Sequence, residues 1–228
     1  MKIKKISIII PVYNEIKTLT KLVKKVKKVN LKKLNLEKEI IVIDDGSNDG
    51  GKKAIKNLSG IKAYFHEKNE GKGASIKTGI KYSTGEIILI QDADLEYNPR
   101  DYPKIILPIL KKRTAVVYGS RFLNSILLKK NLFYYGNKFL SYLTSILYHQ
   151  KITDMETCYK VFHKKVLKNI KLNSNGFGIE PEITAKLIKA GFKIEEVSIR
   201  YSPRKRKEKK IKLKDGFKAI WILMKYKF

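Results

Sequence analysis

Cysteine is almost absent from the 228-residue chain, which contains only Cys158. One cysteine excludes an internal disulfide framework and a zinc site built from several thiolates. We therefore predict a reducing compartment, in which Cys158 is a small buried apolar residue.

Arginine and acidic residues are also scarce. The chain has fifty basic and twenty-one acidic residues, a formal net charge of +29, yet only six of the fifty are arginines. The positive excess predicts an anionic partner, namely nucleic acid, a membrane surface or a phosphorylated substrate. Proteins that read nucleic acid bases depend on the planar arginine fork, so the composition argues against nucleic acid. A lysine-rich compositional bias without a function remains the alternative.

No apolar stretch is long and uncharged enough for a membrane span. The nearest, Asn131 to Gln150, includes Lys138 and several polar residues within the length that a bilayer crossing requires. Residues 1–11 lack the apolar core and the cleavage site of a signal peptide. We expect a cytoplasmic protein that is at most peripheral on the cytoplasmic face of the membrane.

The sequence does contain an alternation of strand-like and helix-like segments. Continuous apolar runs, typical of strands buried on both faces, cover residues 6–10, 40–43, 61–65 and 87–90. Apolar residues spaced as in a helix lie between Leu19 and Val29 and, more weakly, between Ala74 and Tyr82. This order predicts an α/β fold, a mainly parallel sheet flanked by helices. Its ligands should bind beyond the carboxyl ends of the strands.

The scarce acidic residues concentrate at two of these strand ends. Asp44 and Asp45 follow the second strand, and Asp92 and Asp94 follow the fourth. A solvated turn explains the first pair, and helix capping is an alternative for the second. Two carboxylates one residue apart repel each other unless a cation joins them. Their hard oxygens suit Mg²⁺ or Mn²⁺ holding a diphosphate, which is the cofactor that we predict.

A glycine-rich stretch, residues 69–75, leads into a predicted helix. Its backbone amides and Lys72 are candidates to bind a phosphate at the helix N-terminus. The stretch lacks the spacing of a P-loop, and no G-x-G-x-x-G follows the first strand, which excludes classical ATP-hydrolysing and NAD-binding proteins. A plain turn is the alternative role for Gly71 and Gly73.

Four motifs, at residues 7–15, 42–47, 69–74 and 92–94, together resemble glycosyltransferase family 2. Shorter motifs near residues 119–121, 153–154, 178–180 and 196–197 extend the likeness over nearly the whole chain. The polyprenyl- and dolichyl-phosphate sugar synthases are the most similar branch. The resemblance implies the nucleotide-sugar-binding GT-A fold and an inverting, metal-dependent transfer. It makes residues 1–200 the catalytic domain and residues 201–228 a basic loop and amphipathic helix of the same domain.

The same resemblance assigns roles to individual positions. It places Pro11, Tyr13 and Glu15 in the nucleoside pocket and has Asp45, with Asp44 beside it, hold the base. The other matching positions contact the metal, the phosphates or the sugar: Asp92, Asp94 and Glu96 bind the metal, Arg204 contacts phosphates, and Arg121 lies near the sugar.

Two positions depart from the lipid-phosphate branch. Glu96 stands where the branch often has a Gln that also binds the metal, so the charge of the metal site is open. Residues 205–210, nearly all lysine and arginine, replace its usual Gly-Glu-Ser-Lys and bear on the identity of the acceptor.

The chemistry of sugar transfer explains the candidate charges. A sugar that leaves a nucleoside diphosphate builds negative charge on the β-phosphate, which a divalent ion on Asp92 and Asp94 stabilises. Lys72 and Arg204 would add positive charge. A lipid phosphate is already largely ionised at neutral pH and needs little help from a base. A hydroxyl acceptor does need one, and Asp154 is our candidate, with a helix cap as the alternative.

Two segments near the C-terminal half combine aromatic, apolar and basic residues. Residues 132–148 have an apolar face with few charges, and residues 217–228 repeat large apolar residues at helical spacing beside lysines. Such segments favour an anionic lipid surface, and the alternative is two helices that simply cover the sheet. The lysine-rich residues 205–214 would then form a basic loop near the acceptor.

These observations predict a transferase that moves a sugar from a GDP-mannose or UDP-glucose type of donor to a polyprenyl phosphate. A family 2 enzyme that acts on a hydroxyl of a glycan or of another cell-envelope acceptor is the near alternative. A nucleic-acid-binding module and an inactive membrane adaptor of the same fold are the remaining alternatives. The acidic strand ends argue against the module, and the intact Asp92, Asp94 and Arg204 argue against the adaptor.

Overall fold

The computed structural model describes residues 3–123, 131–204, 210 and 213–228. Strands and helices alternate along most of this part of the chain. The strands and helices are β1 (Lys5–Val12), α1 (Ile16–Lys28), β2 (Glu37–Asp44), α2 (Gly51–Lys56), β3 (Lys62–Phe65), α3 (Lys72–Tyr82), β4 (Ile87–Ile90), α4 (Tyr102–Leu110), β5 (Val116–Ser120), α5 (Leu132–Tyr148), β6 (Lys160–His163), α6 (Ile179–Lys189), β7 (Ile194–Ser198) and α7 (Leu213–Lys227).

The strands form one sheet in the order β3-β2-β1-β4-β6-β5-β7. β1 pairs in parallel with β2 and β4, β2 with β3, and β5 with β7. β6 runs antiparallel to both of its neighbours, β4 and β5. The prediction of a mainly parallel sheet flanked by helices is confirmed. The reversed strand β6 is a feature that the apolar pattern did not predict.

The apolar runs of the sequence become the centre of the sheet. Successive residues of a strand point to opposite faces, yet Ile8 and Ile9 of β1 are both fully buried. Helices therefore cover both faces, and α3 lies so close to β1 that a Cβ atom at Gly79 would collide with the side chain of Ile9. This close packing fixes the carboxyl ends of β1, β2 and β4 relative to one another.

The C-terminal helix α7 packs against α5 and α6. The hydroxyl of Tyr148, at the end of α5, donates to the carbonyl of Leu223 at 2.7 Å. Ala219, Ile222 and Leu223 of α7 are buried. One side of α7 thus belongs to the core.

The other side of α5 and α7 carries large apolar residues that are exposed to solvent. Within each helix they are three or four residues apart, so they form one stripe per helix. We call this surface the apolar face: Leu132, Tyr135, Phe139, Tyr142 and Ile146 of α5, with Phe217, Trp221, Met224 and Phe228 at α7.

The described part of the chain has no helix whose length and apolar character would let it cross a bilayer. Most of the predicted basic loop, residues 205–209 and 211–212, lies outside the described residues.

Candidate active site

A cleft of about 490 Å³ opens at the carboxyl ends of β1, β2 and β4. The loops after these strands form one wall, and the N-terminal ends of α3, α5 and α6 contribute the other. Most of the predicted site residues line it: Pro11, Tyr13, Glu15, Asp45, Lys72, Asp92, Asp94, Glu96, Arg121 and Arg204. The sheet edge named by the sequence analysis therefore carries the cleft, while Asp44 and Asp154 lie beneath its surface.

Asp45 holds the turn that leads from β3 into α3. One carboxylate oxygen accepts a hydrogen bond from the backbone N–H of Glu70 at 3.0 Å and lies 2.7 Å from Nδ1 of His66. The other oxygen accepts from the backbone N–H of Gly71 at 2.8 Å. His66 is itself held by the hydroxyl of Thr78, 3.0 Å from Nε2. Asp45 thus lines the cleft and also holds the backbone of the turn at Glu70 and Gly71 in place.

Asp44 does not reach the cleft. Its side chain is buried, and its Oδ2 lies 3.4 Å from the backbone nitrogen of Ser47 within the same turn. Asp44 does not line the cleft in this structure, and its Oδ1 is buried without a hydrogen-bond partner among the described residues, so its contact with a bound base stays a prediction.

Close packing explains the glycines of the 69–75 stretch. Gly71 has a φ of +103°, and a Cβ atom at Gly71 or Gly73 would collide with the loop at residues 174–176. The backbone N–H of Ala74 donates to the carbonyl of Asn175 at 2.9 Å. Together with the two amides held by Asp45, this commits three N–H groups of the stretch to protein acceptors. These three N–H groups are therefore occupied, phosphate binding by the rest of the stretch stays a prediction, and Lys72 is the cationic group of the stretch that reaches the cleft.

Lys72 joins two acidic residues at the floor of the cleft. Its ammonium lies 2.8 Å from a carboxylate oxygen of Asp92 and 2.8 Å from one of Glu180. Burial would lower the pKa of Lys72, but these two carboxylates outweigh it and raise the pKa well above the usual value. Burial acts in the opposite direction on Asp92, and Lys72 again outweighs it, so the pKa of Asp92 is lowered. Both groups are therefore charged at neutral pH.

Asp94 is the acidic residue whose environment best suits a bound cation. Burial raises the pKa of Asp94, and the carboxylates of Asp92 and Glu96 raise it further, to about 7. The guanidinium of Arg204, 2.9 Å from Asp94, only partly offsets this repulsion. A divalent ion between Asp92 and Asp94 would relieve it, so their oxygens fit Mg²⁺ or Mn²⁺.

Glu96 has contacts of its own instead of joining a set of three metal ligands. It accepts hydrogen bonds from the hydroxyl of Tyr201 at 2.9 Å and from the backbone N–H of Arg204 at 2.8 Å. Across residues 3–123, 131–204, 210 and 213–228, no group of three His, Cys, Asp or Glu side chains is arranged to hold a metal ion. The three-residue ligand set of the sequence analysis is therefore not formed in this structure. Glu96 holds the segment that bears Arg204.

Arg204 forms ion pairs with two acidic residues of the cleft, Glu15 and Asp94. One guanidinium nitrogen lies 2.8 Å from Glu15 and the other 2.9 Å from Asp94. Lys210 also pairs with Glu15, at 2.8 Å, and donates to the carbonyl of Tyr13. Burial would raise the pKa of Glu15, but the bonds from Lys210 and Arg204 lower it overall. The part of the cleft next to Tyr13 and Glu15 is therefore bordered by basic side chains from the C-terminal segment.

Arg121 reaches the cleft from the end of β5, and Asp154 lies behind it. Both oxygens of Asp154 accept hydrogen bonds from Arg121, and Asp154 itself is fully buried. A carboxylate that is shielded from the cleft and held by a guanidinium is poorly placed to take a proton from a substrate. The contacts of Asp154 therefore favour a role in positioning Arg121 over the predicted role of catalytic base.

Several cleft residues were missed by the sequence analysis, and most lie in the second half of the chain. Glu180 was noted only as part of a motif, yet it stands on the buried side of α6 between Ile179 and Ile183. An acidic residue at a position where a helix buries apolar residues was the available signal. The missed residues include Tyr97, Phe133, Asn137, Glu156, Glu180 and Tyr201.

Solved structures share this architecture. The crystal structure of glucosyl-3-phosphoglycerate synthase from Mycobacterium tuberculosis, in complex with Mn²⁺, uridine diphosphate and phosphoglyceric acid, aligns with a TM-score of 0.71. The alignment covers 98% of this chain and 78% of that one at 19% identity, a level at which the likeness shows the fold alone. The fold is that of the GT-A glycosyltransferases.

Sequence comparison identifies the family within that class. Residues 7–171 match glycosyl transferase family 2, and the chain belongs to this family. Dolichol-phosphate mannosyltransferase from Pyrococcus furiosus is 32% identical over 235 residues, covering 97% of this chain and 64% of the relative, so this chain spans less than two thirds of its length.

A second relative has a related name. UDP-N-acetylglucosamine–dolichyl-phosphate N-acetylglucosaminyltransferase from Methanococcus voltae is 34% identical over 190 residues, covering 72% of each chain. The names of these two relatives confirm the predicted branch of polyprenyl-phosphate sugar transferases.

Proposed function

We propose that this glycosyltransferase moves a sugar from a nucleoside diphosphate to a polyprenyl phosphate. The observation that carries the proposal is that helix α5 contributes residues both to the cleft and to the apolar face. Phe133 and Asn137 of α5 line the cleft, whereas Leu132, Tyr135 and Phe139 of the same helix are exposed. A lipid acceptor needs this arrangement, because its phosphate must enter a polar cleft while its chain stays on an apolar surface. The names of the two relatives support the same acceptor.

The donor would occupy the side of the cleft formed by β1 and β2. We place the nucleoside against Pro11, Tyr13, Glu15 and Asp45, which line that side together. Asp92 and Asp94 would hold a divalent ion with the diphosphate and water as further ligands, and the ion would stabilise the charge on the departing phosphate. Similar solved structures hold Mn²⁺ or Mg²⁺ together with uridine diphosphate, which supports this choice of ion.

The acceptor phosphate would approach from the side of α5 and meet Arg121. An oxygen of that phosphate forms the new bond to the anomeric carbon of the sugar. The bond from this carbon to the β-phosphate oxygen breaks, and the nucleoside diphosphate leaves with the electron pair. No proton has to be removed, because the acceptor is ionised at neutral pH. This explains how transfer proceeds although Asp154 is unavailable as a base.

Placement at a membrane surface is part of the same proposal. Lys138 of α5 and Lys218 and Lys225 of α7 belong to the helices that carry the apolar face, and all three lysines are exposed to solvent. Apolar insertion with nearby lysines suits the anionic cytoplasmic face of a membrane. The enzyme would then meet its acceptor at the bilayer surface, although no helix among the described residues could span the membrane.

A hydroxyl acceptor is the second candidate, and Glu180 is the observation in its favour. Oε2 of Glu180 is buried, lies in a residue that lines the cleft, and has no hydrogen-bond partner among the described residues. Such an oxygen can take the proton that a hydroxyl acceptor must lose. A glycan of the cell envelope would be an acceptor of this kind.

One screen distinguishes the two acceptors. Purified protein is incubated with UDP- and GDP-sugars and Mn²⁺, with a short polyprenyl phosphate, with a soluble glycan, or with neither. We expect a chelator-sensitive glycolipid product from one class of donor. Glu180→Gln removes the charge that pairs with Lys72, so it should slow transfer to either acceptor, but it should abolish only transfer to a hydroxyl. Product formed only on the glycan would overturn the lipid acceptor, and no turnover of any donor would overturn the proposed function.

A further inference from the structure

Glu156 is a cleft residue to which the transfer described above gives no role. It lies in the loop between α5 and β6, and its side chain lines the cleft. Its Oε1 is buried and has no hydrogen-bond partner within the described part of the chain. Buried carboxyl oxygens are nearly always hydrogen-bonded, so an unpaired one in a cleft wall indicates that a ligand supplies the partner.

The backbone on both sides of Glu156 is firmly held. Lys160 is buried, and its ammonium donates to the carbonyls of Met155 at 2.7 Å and Thr157 at 2.6 Å. The hydroxyl of Thr157 donates to the carbonyl of Gly119 at 2.6 Å. The loop is therefore ordered without any bond from the Oε1 atom of Glu156. Binding sites are supported in this way, with the surrounding shell satisfied and the ligand-facing group free.

Burial favours the neutral form of the Glu156 carboxyl group. Burial raises the pKa of Glu156, and the nearby carboxylate of Glu180 raises it further, to about 8, against the opposing charges of Lys160, Arg121 and Lys72. A neutral carboxyl group donates one hydrogen bond and accepts another. A sugar hydroxyl has the same pair of capacities, whereas the lipid chain of an acceptor has neither.

Glu156 lies near charged groups from two parts of the cleft, since Glu180, Lys72 and Arg121 all affect its pKa. Its neighbour Glu180 is paired through Lys72 to Asp92, on the proposed diphosphate side, and Arg121 stands on the proposed acceptor side. We propose that Glu156 hydrogen-bonds a hydroxyl group of the sugar in the bound donor and is a specificity-determining residue for that sugar. The assignment rests on the proposed function, because it requires a nucleotide-sugar in the cleft.

The test compares a donor with its sugar-free nucleotide. Calorimetry with Mn²⁺ measures the binding of UDP-glucose, GDP-mannose, UDP and GDP to the wild type, Glu156→Ala and Glu156→Gln. We expect Glu156→Ala to weaken binding of the accepted nucleotide-sugar by about tenfold and binding of the free nucleotide by less than about twofold. Glu156→Gln keeps a donor and an acceptor and should stay within about threefold of the wild type. Glu37→Ala, at an exposed position on β2, is the matched control.

Thermal unfolding distinguishes a binding role of Glu156 from a structural one. If Glu156 were structural, its replacement would lower the Tm. Removal of an unpaired buried carboxyl group should leave the Tm unchanged or raise it. A Tm that falls in both variants would overturn the proposal, as would an equal loss of affinity for nucleotide and nucleotide-sugar. If the wild type and Glu156→Ala bind a nucleotide-sugar equally well, the inference about Glu156 is overturned, but the proposed function is not. Failure of the wild type to bind any nucleotide-sugar would overturn the proposed function and the inference with it.

Discussion

Arg121 and Asp154 form a two-point ion pair at the cleft, in which Arg121 lines the cleft and Asp154 lies beneath it. Nε of Arg121 lies 2.8 Å from one oxygen of Asp154, and Nη2 lies 2.7 Å from the other. The backbone N–H of Arg121 donates to the same carboxylate at 2.8 Å. The rings of Tyr97 and Tyr201 flank the guanidinium, with centroids 6.0 and 5.2 Å from its Cζ atom. Asp154 thus sets the direction in which Arg121 faces the cleft.

The first prediction concerns Asp154→Asn, which keeps the shape of the side chain and removes its charge. Removing one partner of a buried pair should lower the free energy of unfolding by about 3–5 kcal/mol. Transfer by the folded enzyme should drop by roughly tenfold or more, because Arg121 loses its orientation. Urea denaturation and steady-state transfer kinetics measure the two effects.

The ion pair between Asp101 and Arg200 provides a matched control for Asp154→Asn. Asp101 accepts from the backbone N–H, Nε and Nη2 of Arg200, the same three groups, but neither residue lines the cleft. Asp101→Asn should lower stability with no change in transfer by the folded fraction. Equal kinetic effects of the two substitutions would contradict a positioning role for Asp154.

The second prediction concerns the divalent ion. Asp94→Asn should abolish metal-dependent binding of a nucleoside diphosphate while the protein stays folded, because Asp94 contributes to the cleft wall and not to the apolar core. Titration calorimetry with and without Mn²⁺ measures this, and Glu67→Gln, in an exposed turn, is the control. Wild-type affinity in Asp94→Asn, or binding that a chelator does not alter, would contradict the metal role of Asp94.

Local patterns predicted the sheet and the location of the cleft well. Residues 40–43 were predicted as a buried strand, and β2 extends from Glu37 to Asp44 around them. The location of the cleft could then be predicted, because parallel strands bring their carboxyl ends to one edge of the sheet. The reversal of β6 could not be predicted in this way, because an apolar run reports burial and not direction.

The sequence predicted where the acidic residues of the site lie better than it predicted what each of them does. Asp94 and Asp154 were both predicted to take part in the chemistry. What separates them is a tertiary contact, since Arg121 covers both oxygens of Asp154 while Asp94 remains in the cleft wall. Glu156 and Glu180 were missed for the related reason that the raised pKa of Glu156 arises largely from its burial and its neighbour Glu180. Contacts of this kind depend on the assembled fold.

The third prediction concerns the dependence of stability on pH. Burial would raise the pKa of Glu39, but hydrogen bonds from Lys62, Thr84 and Ser7 outweigh it and lower the pKa from 4.5 to about 2. A lowered pKa in the folded state contributes stability above the unfolded-state pKa, and this contribution is lost as the pH falls from about 4.5 through about 2. At pH 7, Glu39→Gln should therefore lower the free energy of unfolding by about 2–3 kcal/mol.

The difference between the wild type and Glu39→Gln should shrink steadily below pH 4.5 in urea denaturation at a series of pH values. Glu37→Gln, at an exposed position on the same strand, should leave the pH profile unchanged. A difference for Glu39→Gln that stays constant down to pH 2 would contradict the ionised state of this carboxylate.

The fourth prediction tests the apolar face. Trp221 and Phe228 are 58% and 87% exposed, so Trp221→Glu together with Phe228→Glu should leave the fold intact. Vesicle sedimentation with anionic lipids should show weaker binding even at low salt, because apolar insertion is lost while most of the positive charge remains. Transfer to a bilayer-embedded acceptor should slow more than transfer to a short soluble analogue.

Lys24→Glu separates apolar insertion from net charge in this experiment. It changes the net charge by the same amount as the double substitution, but Lys24 is exposed on α1 and does not belong to the apolar face. We expect Lys24→Glu to bind vesicles nearly as well as the wild type, with binding in both cases weakened by salt, which screens the lysines. Equal losses in Lys24→Glu and in the double substitution would show that electrostatics alone brings the protein to the lipid. The apolar face would then need a different partner.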